Sequence, residues 1–207
     1  NITRIDIKAY KNILVNIESE DFKYKNKFVK YVNLDSFYIN NEFEYGAEKV
    51  TENLNEYEFD ISAVSFFQKN TKVTEKLYSY IKSIINKDSK VLDLYCGIGS
   101  IGIYIADKCK NIIGIEVINE AIEDAKLNAE INKINNIEFI CKSIENMKSD
   151  YKDIDTIIVD PPRIGLDKRA INNILEINSN NIIYVSCNPV TLARDINLLK
   201  ENYNINS

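Results

Sequence analysis

The sequence predicts an α/β fold built on a doubly wound sheet, with a small antiparallel β region ahead of it. Three observations carry this. Five short apolar runs, Val91 to Tyr95, Ile112 to Ile115, Ile137 to Ile140, Thr156 to Val159 and Ile182 to Val185, have the composition of strands buried on both faces. Helical patterns alternate with them, over Ile101 to Lys108, Glu120 to Asn132, Asp167 to Asn178 and Pro189 to Glu201. The apolar period also changes near residue 70, from two to the helical spacing.

Before that change, alternation marks Ile5, Ile7 and Ala9, then Ile13, Val15 and Ile17, then Tyr57, Phe59 and Ile61 as strands. The polar stretches Ser19 to Asn26 and Asn40 to Gly46 read as turns between them. After it, Val73, Leu77, Tyr80, Ile81, Ile84 and Ile85 mark one face of a helix that Asn70 or Thr71 caps. The expected organisation is a β-rich region over 1–65 and a main α/β domain over 66–207.

Composition narrows the chemistry. With 45% apolar and 28% charged residues, 3 Pro and 6 Gly in 207, the chain is an ordered globular protein. It has no apolar run near the roughly 20 residues needed to span a bilayer, and no basic-then-apolar leader, so a soluble cytoplasmic protein is expected. Its start at Asn1 rather than Met suggests either processing or an excised fragment, of which the fragment is favoured. The absence of histidine excludes Ser-His-Asp and Cys-His catalysis and His-ligated zinc within this chain. Cys96, Cys109, Cys141 and Cys187 lie far apart without C-x-x-C spacing, so no metal site and no disulfide scaffold are expected. Of the four, the first three read as buried small hydrophobes. The net charge of -5 leaves nucleic-acid binding to a local patch or a further domain.

Gly97-Ile98-Gly99-Ser100-Ile101-Gly102 is a G-x-G-x-x-G between a strand and a helix, with Glu116 at the end of the second strand. Glu116 suits ribose hydroxyls of either a dinucleotide or S-adenosylmethionine. Asp93 bears on the choice, because a carboxylate just ahead of the loop repels a pyrophosphate and attracts an ammonium or sulfonium. Its bland alternative is an acceptor for loop amides, compatible with either ligand.

Asp160-Pro161-Pro162-Arg163 follows the fourth strand, and its prolines fix an extended backbone lacking amide donors. An acid, two prolines and an aromatic is the pattern of amino-group methyltransferases, but Arg163 stands where the aromatic would be. Ser186-Cys187-Asn188-Pro189 ends the fifth strand, with Asn188 as cap and Pro189 as first helical residue. Cys187 therefore lies at a helix amino terminus, where the dipole and unpaired amides favour a thiolate.

Taken together, Ser65-Phe66-Phe67-Gln68-Lys69-Asn70, Asp93-Leu94-Tyr95-Cys96-Gly97-Ile98-Gly99, the Asp160 motif and Val185-Ser186-Cys187-Asn188-Pro189, with Thr191-Leu192-Ala193-Arg194-Asp195 after it, resemble the RNA (uracil-5-)-methyltransferase family over roughly residues 45 to 200. The resemblance implies a Rossmann-like class I methyltransferase domain, S-adenosylmethionine as cofactor, RNA (tRNA or ribosomal RNA) as partner, and methylation of a uridine at carbon 5. It implies that Gln68, Tyr95, Glu116 and Asp160 contact the cofactor or the target base, and that Cys187 is the nucleophile. By the same resemblance Ser143 lies near the adenine, and Phe66 helps to hold the flipped uracil. Family members also carry an RNA-binding β-barrel, some an iron-sulfur cluster, and a carboxyl-terminal His-x-Glu segment whose Glu is a base; none of these is visible between Asn1 and Ser207, so the domain is expected to be incomplete at its carboxyl end. The residues alone also admit a base-amine methyltransferase, which has no need of Cys187, an NAD-dependent oxidoreductase, which the glycine pattern would serve, and a cofactor-binding module without turnover.

Overall fold

The computed structural model describes residues 2–147 and 151–206. The chain divides into two compact units, residues 1–75 and 76–207. In the first, β1 (Ile2–Ala9), β2 (Ile13–Ser19), β3 (Ser36–Ile39) and β4 (Glu42–Gly46) form a sheet in that order, and β5 (Val50–Leu54) pairs with β6 (Tyr57–Ile61) as a separate hairpin. The pairings are antiparallel except β2 with β3, which run parallel across a connection containing α1 (Lys25–Tyr31). Phe28 of α1 packs at 5.1 Å on Phe37 of β3, over a core with Val15 and Ile17.

Two of the expected turns are shorter than the sequence indicates. Only Asn40 and Asn41, at φ 52° and 66°, make the β3–β4 turn, and Glu42 to Gly46 continues as a strand. Two successive positive-φ residues give the tight connection whose twist matches a hairpin. The stretch from Ser19 to Asn26 runs into α1 at Lys25.

Helix α2 (Thr71–Ile84) starts where expected, with the Asn70 side chain accepting from the Val73 amide at 3.2 Å. Its buried face, however, is Thr74, Tyr78, Ile81 and Ile85, while Val73, Tyr80 and Ile84 are exposed. Two apolar stripes share this helix, and the hydroxyl-bearing one goes inside because Tyr78 and Ser100 satisfy each other at 2.8 Å.

The second unit holds a five-stranded parallel sheet in the order β11-β10-β7-β8-β9, formed by β7 (Ser89–Leu94), β8 (Cys109–Glu116), β9 (Ile137–Cys141), β10 (Thr156–Val159) and β11 (Asn181–Tyr184). Between them run α3 (Ser100–Ile105), α4 (Asn119–Ile131) and α5 (Lys168–Ile177), and α6 (Pro189–Leu199) follows β11. All five strands and four helices fall where the sequence places them, within a few residues. Burial on both faces holds at the centre, where every residue of β10 and all but one of β7 are buried. At the edges it does not: β9 and β11 are half-exposed, since among the described residues each pairs on one side only. Strand order reverses direction at β7, between β10 and β8, which makes the carboxyl ends of these strands the switch point at which such sheets bind ligands. Among the described residues no helix is long and apolar enough to cross a membrane.

Candidate active site

The loop leaving β7 turns on Tyr95, Gly97 and Gly99, at φ 60°, 53° and 77°. A side chain on Gly99 would meet Phe139 of β9 at 2.5 Å, so only glycine lets the loop lie this close to the sheet. Tyr95 adopts the same left-handed backbone without that freedom, an arrangement that costs free energy and collects at functional loops.

Asp93, inside β7, is fully buried. Its Oδ2 accepts the Gly102 amide of α3 at 3.1 Å, while Oδ1 has no hydrogen-bond partner. Burial, with Asp160 and then Glu116 nearby, pushes this carboxyl up to about 7. The acceptor role expected of Asp93 is met by an amide of α3, while its other oxygen stays unsatisfied in an acidic cluster. Glu116, buried at the end of β8, accepts from the Gly97 amide at 3.2 Å through Oε2 and from Val117 and Ile118 at 2.8 and 3.0 Å through Oε1. It welds the glycine loop to the start of α4, and its alignment is fixed by three donors.

Beyond β9, Ser143 bonds Glu145 through Oγ, and the Tyr95 hydroxyl lies 3.5 Å from the same carboxylate. Burial and Glu145 together push the Tyr95 phenol up, which keeps it a donor. Glu145 was not singled out by the sequence; its position two residues after Ser143 was the available signal.

Asp160 follows β10 and is half-buried. Cys187 is exposed in the loop between β11 and α6. Asn188 caps α6 through the Val190 amide at 3.1 Å, and its Nδ2 donates to the Arg163 carbonyl at 3.0 Å, which the Thr191 hydroxyl reaches at 3.2 Å. The loops that carry Asp160 and Cys187 are therefore bonded to each other. Tyr95, Glu116, Asp160 and Cys187 all lie at carboxyl ends of strands of one sheet, β7, β8, β10 and β11. Gln68 belongs to the first unit, half-buried between β6 and α2, and Phe66 beside it is exposed.

Among the other cysteines, Cys96 and Cys109 are buried as expected, and burial pushes both thiols up, Cys109 to about 12. Cys141 departs from its expected burial. It ends the edge strand β9 and is exposed, so this chain presents two accessible thiols among its described residues.

The model of the tRNA (uracil-5-)-methyltransferase family matches residues 25–207. An uncharacterized RNA methyltransferase of Clostridium tetani is 45% identical over 161 residues, which cover 76% of this chain and 35% of that protein. Another from Enterococcus faecalis is 43% identical over 163 residues, 76% of this chain and 36% of the relative. The chain thus spans about a third of the length of the curated relatives it matches. Among solved structures, the Pyrococcus abyssi tRNA (uracil-54, C5)-methyltransferase in complex with S-adenosyl-L-homocysteine superposes with a TM-score of 0.78 at 31% identity, over 94% of this chain and 52% of that one. A tRNA methyltransferase of M. jannaschii shares the fold alone, at 17% identity and a TM-score of 0.63. With the family model matching most of its length, the chain belongs to the tRNA (uracil-5-)-methyltransferase family.

Proposed function

We propose that this domain transfers a methyl group from S-adenosylmethionine to carbon 5 of a uridine in tRNA or ribosomal RNA, with Cys187 as the nucleophile. The observation that carries the reading is the exposed Cys187 at the mouth of α6, in a loop bonded to the one that bears Asp160. The residues fit the cofactor on their own chemistry. An acid with an unpartnered oxygen, raised by burial and then by two further carboxylates, is relieved by a cation and opposed by a pyrophosphate. S-adenosylmethionine, when bound, supplies a cationic sulfonium and an electrophilic methyl group. Tyr95, Glu116 and Asp160 are the residues of this unit proposed to hold it or the base.

Carbon 5 of uracil is too weak a nucleophile to displace a sulfonium unaided. The Cys187 thiolate adds to carbon 6, and the ring's electrons move to the carbon 4 oxygen as an enolate. Carbon 5 then takes the methyl carbon, and the carbon–sulfur bonding pair leaves with the departing thioether. A base removes the carbon 5 proton, the carbon 5–carbon 6 double bond re-forms, and the Cys187 sulfur is expelled. The uridine reaches the thiol only by leaving its stack.

The test is the full-length protein with 5-fluorouridine RNA and the methyl donor. Fluorine leaves no proton to remove, so a denaturation-resistant protein–RNA adduct is expected, mapped by peptide mass spectrometry to Cys187. An adduct on Cys141, the other exposed thiol, or one that persists in Cys187→Ala, overturns the mechanism.

A further inference from the structure

One cluster of charged side chains is left over by that reaction. Asp195 lies on α6 and is completely buried, yet carries a carboxylate. Its Oδ2 accepts from the Leu166 amide at 2.8 Å and from the Tyr184 hydroxyl at 2.6 Å. Its Oδ1 accepts from Arg194 Nε at 2.8 Å, with Arg194 Nη2 at 2.7 Å. The same Nη2 donates to the carbonyls of Ile164 and Leu166, each at 2.9 Å. With Asn188 and Thr191 on the Arg163 carbonyl, the backbone of 163–166 is held at four polar atoms by residues of α6 and its cap. Gly165 completes the fit: it sits at φ 75°, and a side chain there would come 2.5 Å from Asp195 Oδ2.

This is more than a strand-ending turn requires. A carboxylate removed from water must recover its lost hydration through its partners, and well-packed apolar groups would fill such a site at lower cost. What the charged hub gains is geometry. Tyr184 is three residues before Cys187 and Asp195 eight after it, so one carboxylate ties the end of β11, ahead of the thiol's loop, to the body of α6 beyond it. Through Leu166 and Arg194 it also fastens the loop that follows Asp160.

We propose that Asp195, through Tyr184 and Arg194, is a positioning residue that holds the Cys187 loop and the Asp160 loop in one frame and so sets the approach of the thiol to the target base. The inference rests on the proposed function. It is tested in the full-length protein with Tyr184→Phe, Arg194→Lys, their combination, and Asp195→Asn. Three quantities are read for each: the rate of Cys187 adduct formation on 5-fluorouridine RNA at saturating methyl donor, the donor's dissociation constant, and the melting temperature. Tyr184→Phe keeps the ring and loses only the hydroxyl. Arg194→Lys keeps the charge and loses the fork that spans Asp195 and two carbonyls. Each is expected to slow adduct formation by roughly tenfold or more while donor affinity moves by less than about twofold, since small misplacements of a reacting group are costly in rate. The pair should lose less than the product of the singles, because both act through one carboxylate. Asp195→Asn should go further in the same direction. Wild-type adduct rates in both single variants, or losses that track melting temperature or donor affinity, overturn the inference and leave the functional reading standing. A wild-type protein that forms no adduct at Cys187 overturns the functional reading, and this inference with it.

Discussion

At Asp93 the competition between desolvation and hydrogen bonding is decided for desolvation: one amide does not offset full burial beside two acids. The pH dependence follows. A carboxyl raised to about 7 in the folded protein, from an ordinary 3.8, binds its proton more tightly folded than unfolded. Its contribution to stability is fully present below the unfolded value and is lost as pH rises through the folded one. Urea midpoints should therefore fall between about pH 4 and 7 by an amount that Asp93→Asn removes; parallel slopes for the two proteins would show that Asp93 ionises normally. Glu116 differs in kind, since three amides already satisfy it. Glu116→Ala frees the glycine loop and α4 together, so methyl-donor affinity should drop by about 1 to 3 kcal/mol in calorimetry. An unchanged affinity would remove Glu116 from the binding site.

Among elements, α6 shows how a cap can serve two purposes. Asn188→Ala should cost about 1 kcal/mol in chemical denaturation, the usual loss for a cap. Asn188→Asp keeps the acceptor for Val190 but not the donor to Arg163, so it should recover that stability without recovering adduct formation at Cys187. Recovery of both would assign Asn188 to capping alone. The cap, the proline after it and the helix were legible in the sequence, because they are written within a few adjacent residues. So were the strands of the main sheet, whose apolar runs are bounded by polar loops. The inward face of α2 was not, because apolar residues occupy two of its stripes and contacts distant in sequence, such as the Tyr78–Ser100 bond 22 residues apart, select between them. The same limit hid the hub around Asp195. Its partners Leu166 and Tyr184 lie 29 and 11 residues away, and no local period announces a contact made by folding β10, β11 and α6 together.

On the scale of the whole chain, two compact units and a net charge of -5 leave the acidic cluster at the sheet's carboxyl edge as a feature that a bound cation would relieve. S-adenosylmethionine should accordingly raise the denaturation midpoint in a concentration-dependent way, with an unfolding free energy larger by about 2.7 kcal/mol at a hundredfold excess over its dissociation constant. NAD at the same concentrations should leave it unmoved. Stabilisation by NAD and none by the methyl donor would reverse the cofactor assignment.

Among the described residues, β11 and β9 are the outer strands of the sheet of the second unit. An unpaired strand is a template on which a second chain can add, and long flat borders seed fibrils. These are four and five residues long, and β9 carries Glu138 among its exposed positions. Brevity at both strands, and the charge of Glu138 at β9, limit how far chain-to-chain pairing along them can propagate.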